Sequence, residues 1–185
     1  MWPTGAVMPT ASNLNFVPGQ TVPNLVIAKL GAVGTAGAGM VSLYNSAGTT
    51  HLIADVLGSF RSGSGARLTS LPPERVLDTR VDGGSSKPVG QTPLVLPVAG
   101  RGGVPASGAT AVVLNVTATD GTNSGYVTVY PAGQDVPTAS NLNITAGQTR
   151  ANLVIAKVGA DGAVALFNSA GTVHLLADVV GYFTG

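Results

Sequence analysis

The chain has two imidazoles, His51 and His174, and each stands four residues before an aspartate, Asp55 or Asp178. On a strand an even spacing puts both side chains on one face. With Ser46 or Ser169 nearby, the residue types are those of a nucleophile, a base and an acid. Such a triad needs its serine on a strained turn beside oxyanion donors, and the chain has no Gly-x-Ser-x-Gly context. A His and an Asp on a half-buried strand are more often structural groups satisfied by partner bonds. The expectation is therefore no catalytic residue and no enzyme.

The charges within apolar surroundings point to a structural role. Asp78 and Asp178 sit among apolar neighbours, where an ionised carboxylate without a partner is costly. Arg75 and Arg80 are the cations at hand, and a guanidinium can hold a carboxylate through two parallel bonds. Arg75, Asp78, Arg80 and Asp178 are expected to form a polar cluster joining the first and last strands of one unit. Asn13, Asn15, Asn45, Asn115, Asn141, Asn143 and Asn168 fit strand edges and turns, where an amide caps loose backbone groups.

Two ligand classes also merit a test. Asp120-Gly121-Thr122-Asn123, Asp161-Gly162 and Val81-Asp82-Gly83-Gly84 offer hard oxygen donors, but none has the dense aspartate spacing of a calcium loop. Asp-Gly is above all a turn signal, so no metal and no cofactor is expected. For carbohydrate, the rings available to stack on a sugar are Trp2, Tyr44, Tyr126 and Tyr130. Trp2 and Tyr130 occupy matching places before a proline; the competing reading is that these rings pack over their own turns. Asn115-Val116-Thr117 and Asn143-Ile144-Thr145 have the acceptor pattern for glycosylation, but both fall in expected strands.

Composition narrows the class. Of 185 residues only 9% are charged, with net charge +1, while 44% are hydrophobic and 26 are glycine. So little charge, with no basic excess, gives no electrostatic footprint for nucleic acid. The absence of cysteine excludes thiolate catalysis, Cys-ligated zinc, iron–sulfur clusters and disulfides. Apolar runs are broken by Gly, His or Asp well short of the roughly 20 residues of a spanning helix, so no membrane insertion is expected. Met1-Trp2-Pro3-Thr4-Gly5 has no basic region leading into an apolar one, so any secretory signal is expected to have been removed.

The elements that must position these residues are duplicated. Pro9 to Asn15 recurs as Pro137 to Asn143, Asn24 to Lys29 as Asn152 to Lys157, and Asn45 to Thr49 as Asn168 to Thr172. Residues 9–31 match 137–159 at 17 of 23 positions, and 40–60 match 163–183 at 14 of 21. The second copy is preceded by residues 75–133, whereas the first has only Trp2-Pro3-Thr4-Gly5, matching Tyr130-Pro131-Ala132-Gly133. The organisation expected is a half unit at 1–61 (the back half of the repeat), a linker at 62–74 and a complete unit at 75–185.

Eight β-rich runs separated by turn residues fill the complete unit, from Arg75–Arg80 to Val173–Tyr182. They predict an all-β, two-sheet sandwich of jelly-roll type. A weaker echo of Gly147-Gln148-Thr149 at Gly90-Gln91-Thr92 keeps a three-fold β-prism of three modules as the alternative.

Several of these strings, taken in order, are similar to a known family. Arg75-Val76-Leu77-Asp78-Thr79-Arg80, Gly103-Val104-Pro105, Ala111 to Thr117, Gly125 to Pro131, Ser140 to Asn143 and Ala177 to Phe183 resemble a tandem β-rich repeat of secreted actinobacterial proteins, often adjacent to peptidoglycan amidase or peptidase domains. The likeness covers residues 75–185 and, as the back half, 2–60. It implies an extracellular, non-catalytic accessory module at the cell surface, with no assigned ligand. The chain departs from the pattern in the absent front half before the first copy and in Ser59, where the second copy has Tyr182. The reading is thus a secreted structural or adhesive repeat that forms a homo-oligomer or filament through its half unit. The alternative is a cell-wall or polysaccharide-binding, lectin-like module.

Overall fold

Val, Leu, Ile and Thr alternating with small residues, and broken every few positions by Gly, Pro or Asn, favour extended backbone over helix. The computed structural model bears this out: its regular elements are all strands. It describes residues 1–61, 63, 65–81 and 92–185. The chain divides into two units, Met1–Asp55 and Val56–Gly185, so the division falls a few residues before the expected boundary at 61.

The first unit holds β1 (Trp2–Pro3) and β2 (Val41–Ser42), and the second holds eight strands. These are β3 (Arg67–Asp78), β4 (Leu94–Pro97), β5 (Ala109–Thr119), β6 (Gly125–Pro131), β7 (Leu142–Ile144), β8 (Arg150–Lys157), β9 (Ala163–Asn168) and β10 (His174–Thr184). Two antiparallel sheets result, ordered β3-β10-β5-β8 and β4-β9-β6-β7. The pairs β3–β10, β4–β9, β5–β8 and β6–β7 nest inside one another, as in one long hairpin rolled into a jelly roll. The additional pairs β10–β5 and β6–β9 close each sheet.

The middle of that hairpin lies between Pro131 and Leu142, where the repeat analysis separates front half from back half. Consequently every strand pairing of the second unit joins a front-half strand (β3 to β6) to a back-half strand (β7 to β10). Among the described residues neither half pairs with itself. The core is shared in the same way. Val112, Leu114, Val116 and Ala118 alternate inward from β5 and meet Leu175, Ala177 and Val179 from β10, with Val127, Leu142, Val154 and Leu166 completing one fully buried cluster.

Two expectations change. Residues 67–74 are not linker but the first part of β3. Leu71 packs on the core, and β3 is an edge strand with β10 as its one neighbour, a place where proline is tolerated. Pro72 and Pro73 fall where the register shifts between Ser70↔Gly181 and Glu74↔Val179. The three-fold prism is replaced by two sheets of four strands and one ribbon of two. Its motivating Gly90-Gln91 lies outside the described residues, as does Asp82-Gly83-Gly84.

The first unit repeats the local geometry of the second without its sheets. Trp2↔Ser42 and Pro3↔Val41 reproduce the register of Tyr130↔Ala165 and Pro131↔Val164. The Asn24 side chain donates to Asn13 O (2.5 Å) as Asn152 does to Asn141 O (2.7 Å). Asn45 donates to Ala47 O and Gly48 O at 2.8 and 3.1 Å, where Asn168 donates to Ala170 O and Gly171 O at 3.0 and 3.1 Å. Asn45 and Asn168 thus cap their turns as the sequence predicts, whereas Asn115 lies within β5, opposite Asp178 and Leu153.

Candidate functional site

The polar cluster forms as expected and ties the first strand of the sandwich to the last. Asp178 on β10 stands opposite Arg75 on β3. The Arg75 Nε and Nη2 donate to the two Asp178 oxygens, while its Nη1 reaches Asp78 Oδ2 at 3.1 Å. From the other side Arg80 donates through Nε to Asp78 Oδ1 at 2.9 Å and through Nη2 to Oδ2 at 2.7 Å. The Arg80 backbone N–H adds a third bond at 3.1 Å. These bonds from Arg80, with Arg75 behind them, hold the Asp78 carboxyl well below the usual carboxylate range. Both guanidiniums are raised in turn, Arg75 chiefly by Asp178 and Arg80 chiefly by Asp78. Each carboxylate oxygen has a donor, so the cluster is a finished internal structure rather than an open ligand site.

Thr79, just past the end of β3, adds a separate polar tie to β10 that the sequence alone did not reveal. Its hydroxyl accepts the Leu175 N–H at 2.9 Å and bonds His174 Nδ1 at 3.1 Å. The pattern that could have found it is its position between Asp78 and Arg80, whose side chains the cluster uses. Ser169 is likewise engaged, its Oγ accepting the Tyr126 N–H at 2.8 Å. The three groups of the imagined triad therefore have separate structural partners: Thr79 for His174, Arg75 for Asp178 and the Tyr126 backbone for Ser169. Among the described residues no three His, Asp or Glu side chains are grouped to hold a metal ion. Asp120 adopts φ 54° before Gly121, a turn conformation in keeping with the Asp-Gly signal.

The four candidate rings divide between the two units, Trp2 and Tyr44 in the first and Tyr126 and Tyr130 in the second. Tyr130 is only 5% exposed, sealed among Ala132, Ala163, Ala165 and Phe167 on the outer face of the second sheet. That burial raises its phenol pKa, with Asp135 adding to the effect. The strand's alternation puts Tyr126 on the same face, its ring tilted against Phe167 with centroids 6.3 Å apart. On the same face Thr128 Oγ1 donates to Ala139 O at 2.8 Å, tying the chain between β6 and β7 to β6. Trp2 is half-buried, and its Nε1 donates to Ala6 O at 3.2 Å across its own turn. Tyr44 is the exposed ring of the four.

The largest chemical feature left unused is apolar. Leu52, Ile53, Val56 and Phe60 are 54, 89, 90 and 63% exposed, whereas their counterparts Leu175, Leu176, Val179 and Phe183 are all at or below 7%. Leu43 is 48% exposed against 0% for Leu166. Within Met1–Asp55 the buried residues are two glycines, Gly31 and Gly37. These five side chains are thus exposed in the first copy where their counterparts in the second are buried, although Phe60 keeps a ring contact with Phe183 at 6.1 Å. His51 and Asp55 accompany them, occupying the places where His174 and Asp178 meet Thr79 and Arg75.

No protein-family model matches the chain, and no curated protein matches it.

Proposed function

We propose that this chain is a non-catalytic structural repeat of a secreted bacterial surface protein, acting by association of β modules through its open first copy. The observation carrying this reading is the exposure of Leu52, Ile53, Val56 and Phe60, whose counterparts Leu175, Leu176, Val179 and Phe183 are buried. Large apolar side chains left this exposed are candidates for an interaction site. The engaged state of the titratable groups supports a structural role over a catalytic one. Polysaccharide binding has less support, because the matched pair Trp2 and Tyr130 is split by the burial of Tyr130.

The test is light scattering behind size exclusion over a wide range of concentration. Association predicts a mass that climbs above the 18.3 kDa of one chain as concentration rises. A constant monomer mass, together with protease resistance of residues 1–61, would refute it.

A further inference from the structure

We infer that the outer edge of β8, Arg150–Lys157, is a pairing site for the same strand of a second chain. The two strands run antiparallel about a two-fold axis, so that the sheets ending in β8 join into one. The site lies within the second unit and does not depend on the first copy.

Comparison of the sheet edges is the first argument, because an edge strand invites pairing unless something blunts it. At one edge β3 is interrupted by Pro72 and Pro73 and by two register shifts. In the other sheet β4 has four residues, ends in Pro97 and follows Pro93, while β7 has three residues. The remaining edge, β8, has eight residues with neither Pro nor Gly. It runs against β5 in one unbroken register, from Ala111↔Lys157 to Ala118↔Arg150. Its charges stand at its two ends.

The backbone supplies the second argument. Val158 N–H donates to Thr110 O at 3.0 Å in that same register, so the even-numbered residues of β8 turn their backbone groups toward β5. Ala151, Leu153, Ile155 and Lys157 therefore turn theirs outward. Among the described residues none of these outward groups has a hydrogen-bond partner. The tie from β8 to the second sheet uses a side chain instead, Asn152 Nδ2 donating to Asn141 O. On the solvent face of these residues Leu153 is 41% exposed.

The third argument identifies the occupant. One antiparallel register matches all the outward residues with one another, Ala151 with Lys157 and Leu153 with Ile155, each pair occurring on both sides of an axis at Val154. Every such pair exchanges both of its backbone bonds, and the Leu–Ile pairs add cross-strand apolar contact. Lys157 then faces Ala151, and no cation stands opposite a cation. A parallel, in-register pair would instead set Arg150 on Arg150 and Lys157 on Lys157.

The register gives a direct test, and the absence of native cysteine makes it clean. Every chain used carries Leu52→Asp and Ile53→Asp, which remove apolar surface from the first copy. Chains with Leu153→Cys are mixed with chains with Ile155→Cys and mildly oxidised. We expect a disulfide-linked heterodimer, because directly opposed Cα atoms stand about 5.5 Å apart. Either chain alone should crosslink at least about tenfold less, its cysteines lying on a diagonal of about 7–8 Å. As a second variant, Leu153→Pro removes one outward N–H and spares the ladder to β5, a change an edge strand tolerates. It should run as a monomer by light scattering at concentrations where the cysteine-free parent is a dimer, with unchanged circular dichroism.

Absence of the heterodimer, equal trapping by either cysteine alone, or a folded Leu153→Pro chain that still dimerises overturns the inference. If Leu153→Pro does not fold, the trap decides. A trap that forms while Leu52→Asp leaves the association of the unaltered chain untouched removes the first-copy reading and keeps this one. Failure of the trap where Leu52→Asp abolishes association removes this inference and keeps that reading.

Discussion

The duplicated leucine at positions 52 and 175 allows one substitution to be made in two environments within a single chain. Leu175 is fully buried in the core, with Ala177 and Val179 beside it on β10, whereas Leu52 is 54% exposed. Truncating Leu175 to Ala removes three carbons from a closed core, at about 0.8 kcal/mol each for transfer alone, and leaves a cavity besides. A loss of about 3–4 kcal/mol is expected. For a domain of this length that is a fall in Tm of about 10 °C or more. Leu52→Ala takes the same atoms from a surface already in water, and its cost should lie within about 0.5 kcal/mol of zero. Urea unfolding of the two variants, followed by circular dichroism with thermal melts alongside, measures both. Equal destabilisation would mean that the first copy is closed in solution, and its proposed role in association would fall. A silent Leu175→Ala would refute the sandwich core itself.

Two further outcomes follow from named contacts. Asp78 has a folded pKa held below its ordinary 3.8, so the stability its ionised form contributes is present above about pH 4 and is lost as pH falls below that value. Asp78→Asn should flatten this acid limb in a series of melts from pH 6 downward, and an unchanged limb would count against the cluster. Gly102 sits at φ 54°, and an added Cβ would stand 2.4 Å from Val179 Cγ1. Gly102→Ala should cost at least about 1 kcal/mol by denaturant unfolding, through overpacking against a core residue; a neutral result would contradict that packing.

The strands of the sandwich were legible because their runs carry two signals at once, a period of two and turn residues at both ends. All eight runs of the complete unit are strands, with ends displaced by a few residues. The start of β3 escaped notice for the opposite reason. Leu71-Pro72-Pro73 reads as a strand breaker, and only the edge position of β3, a tertiary fact, makes it tolerable. In the polar cluster Arg75, Asp78, Arg80 and Asp178 were found from the cost of burying charge. Thr79 was missed because a neutral hydroxyl shows no such cost until its partners are seen. Tyr130 misled as a candidate ring because most of the side chains that bury it, Ala163, Ala165 and Phe167, reach it only through the pairing of β9 with β6.

Nesting of the strand pairs also sets an order in time. The innermost contacts span short loops: Thr128 reaches Ala139, 11 residues away, and Asn141 reaches Val129, 12 residues away. The outermost pair is Arg67 with Thr184, beyond the Arg75–Asp178 contact that spans 103 residues. Closing a long loop costs more entropy than closing a short one, and each inner pair shortens the loop left for the next. Folding should therefore zip outward from the turn at residues 132–141, slowly for a domain of this length because most of its contacts are remote in sequence. The pairs from Ser70↔Gly181 out to Arg67↔Thr184 are then the last to form, and the ion pairs of Arg75 close just ahead of them, a clasp set one step inside the rim of the roll.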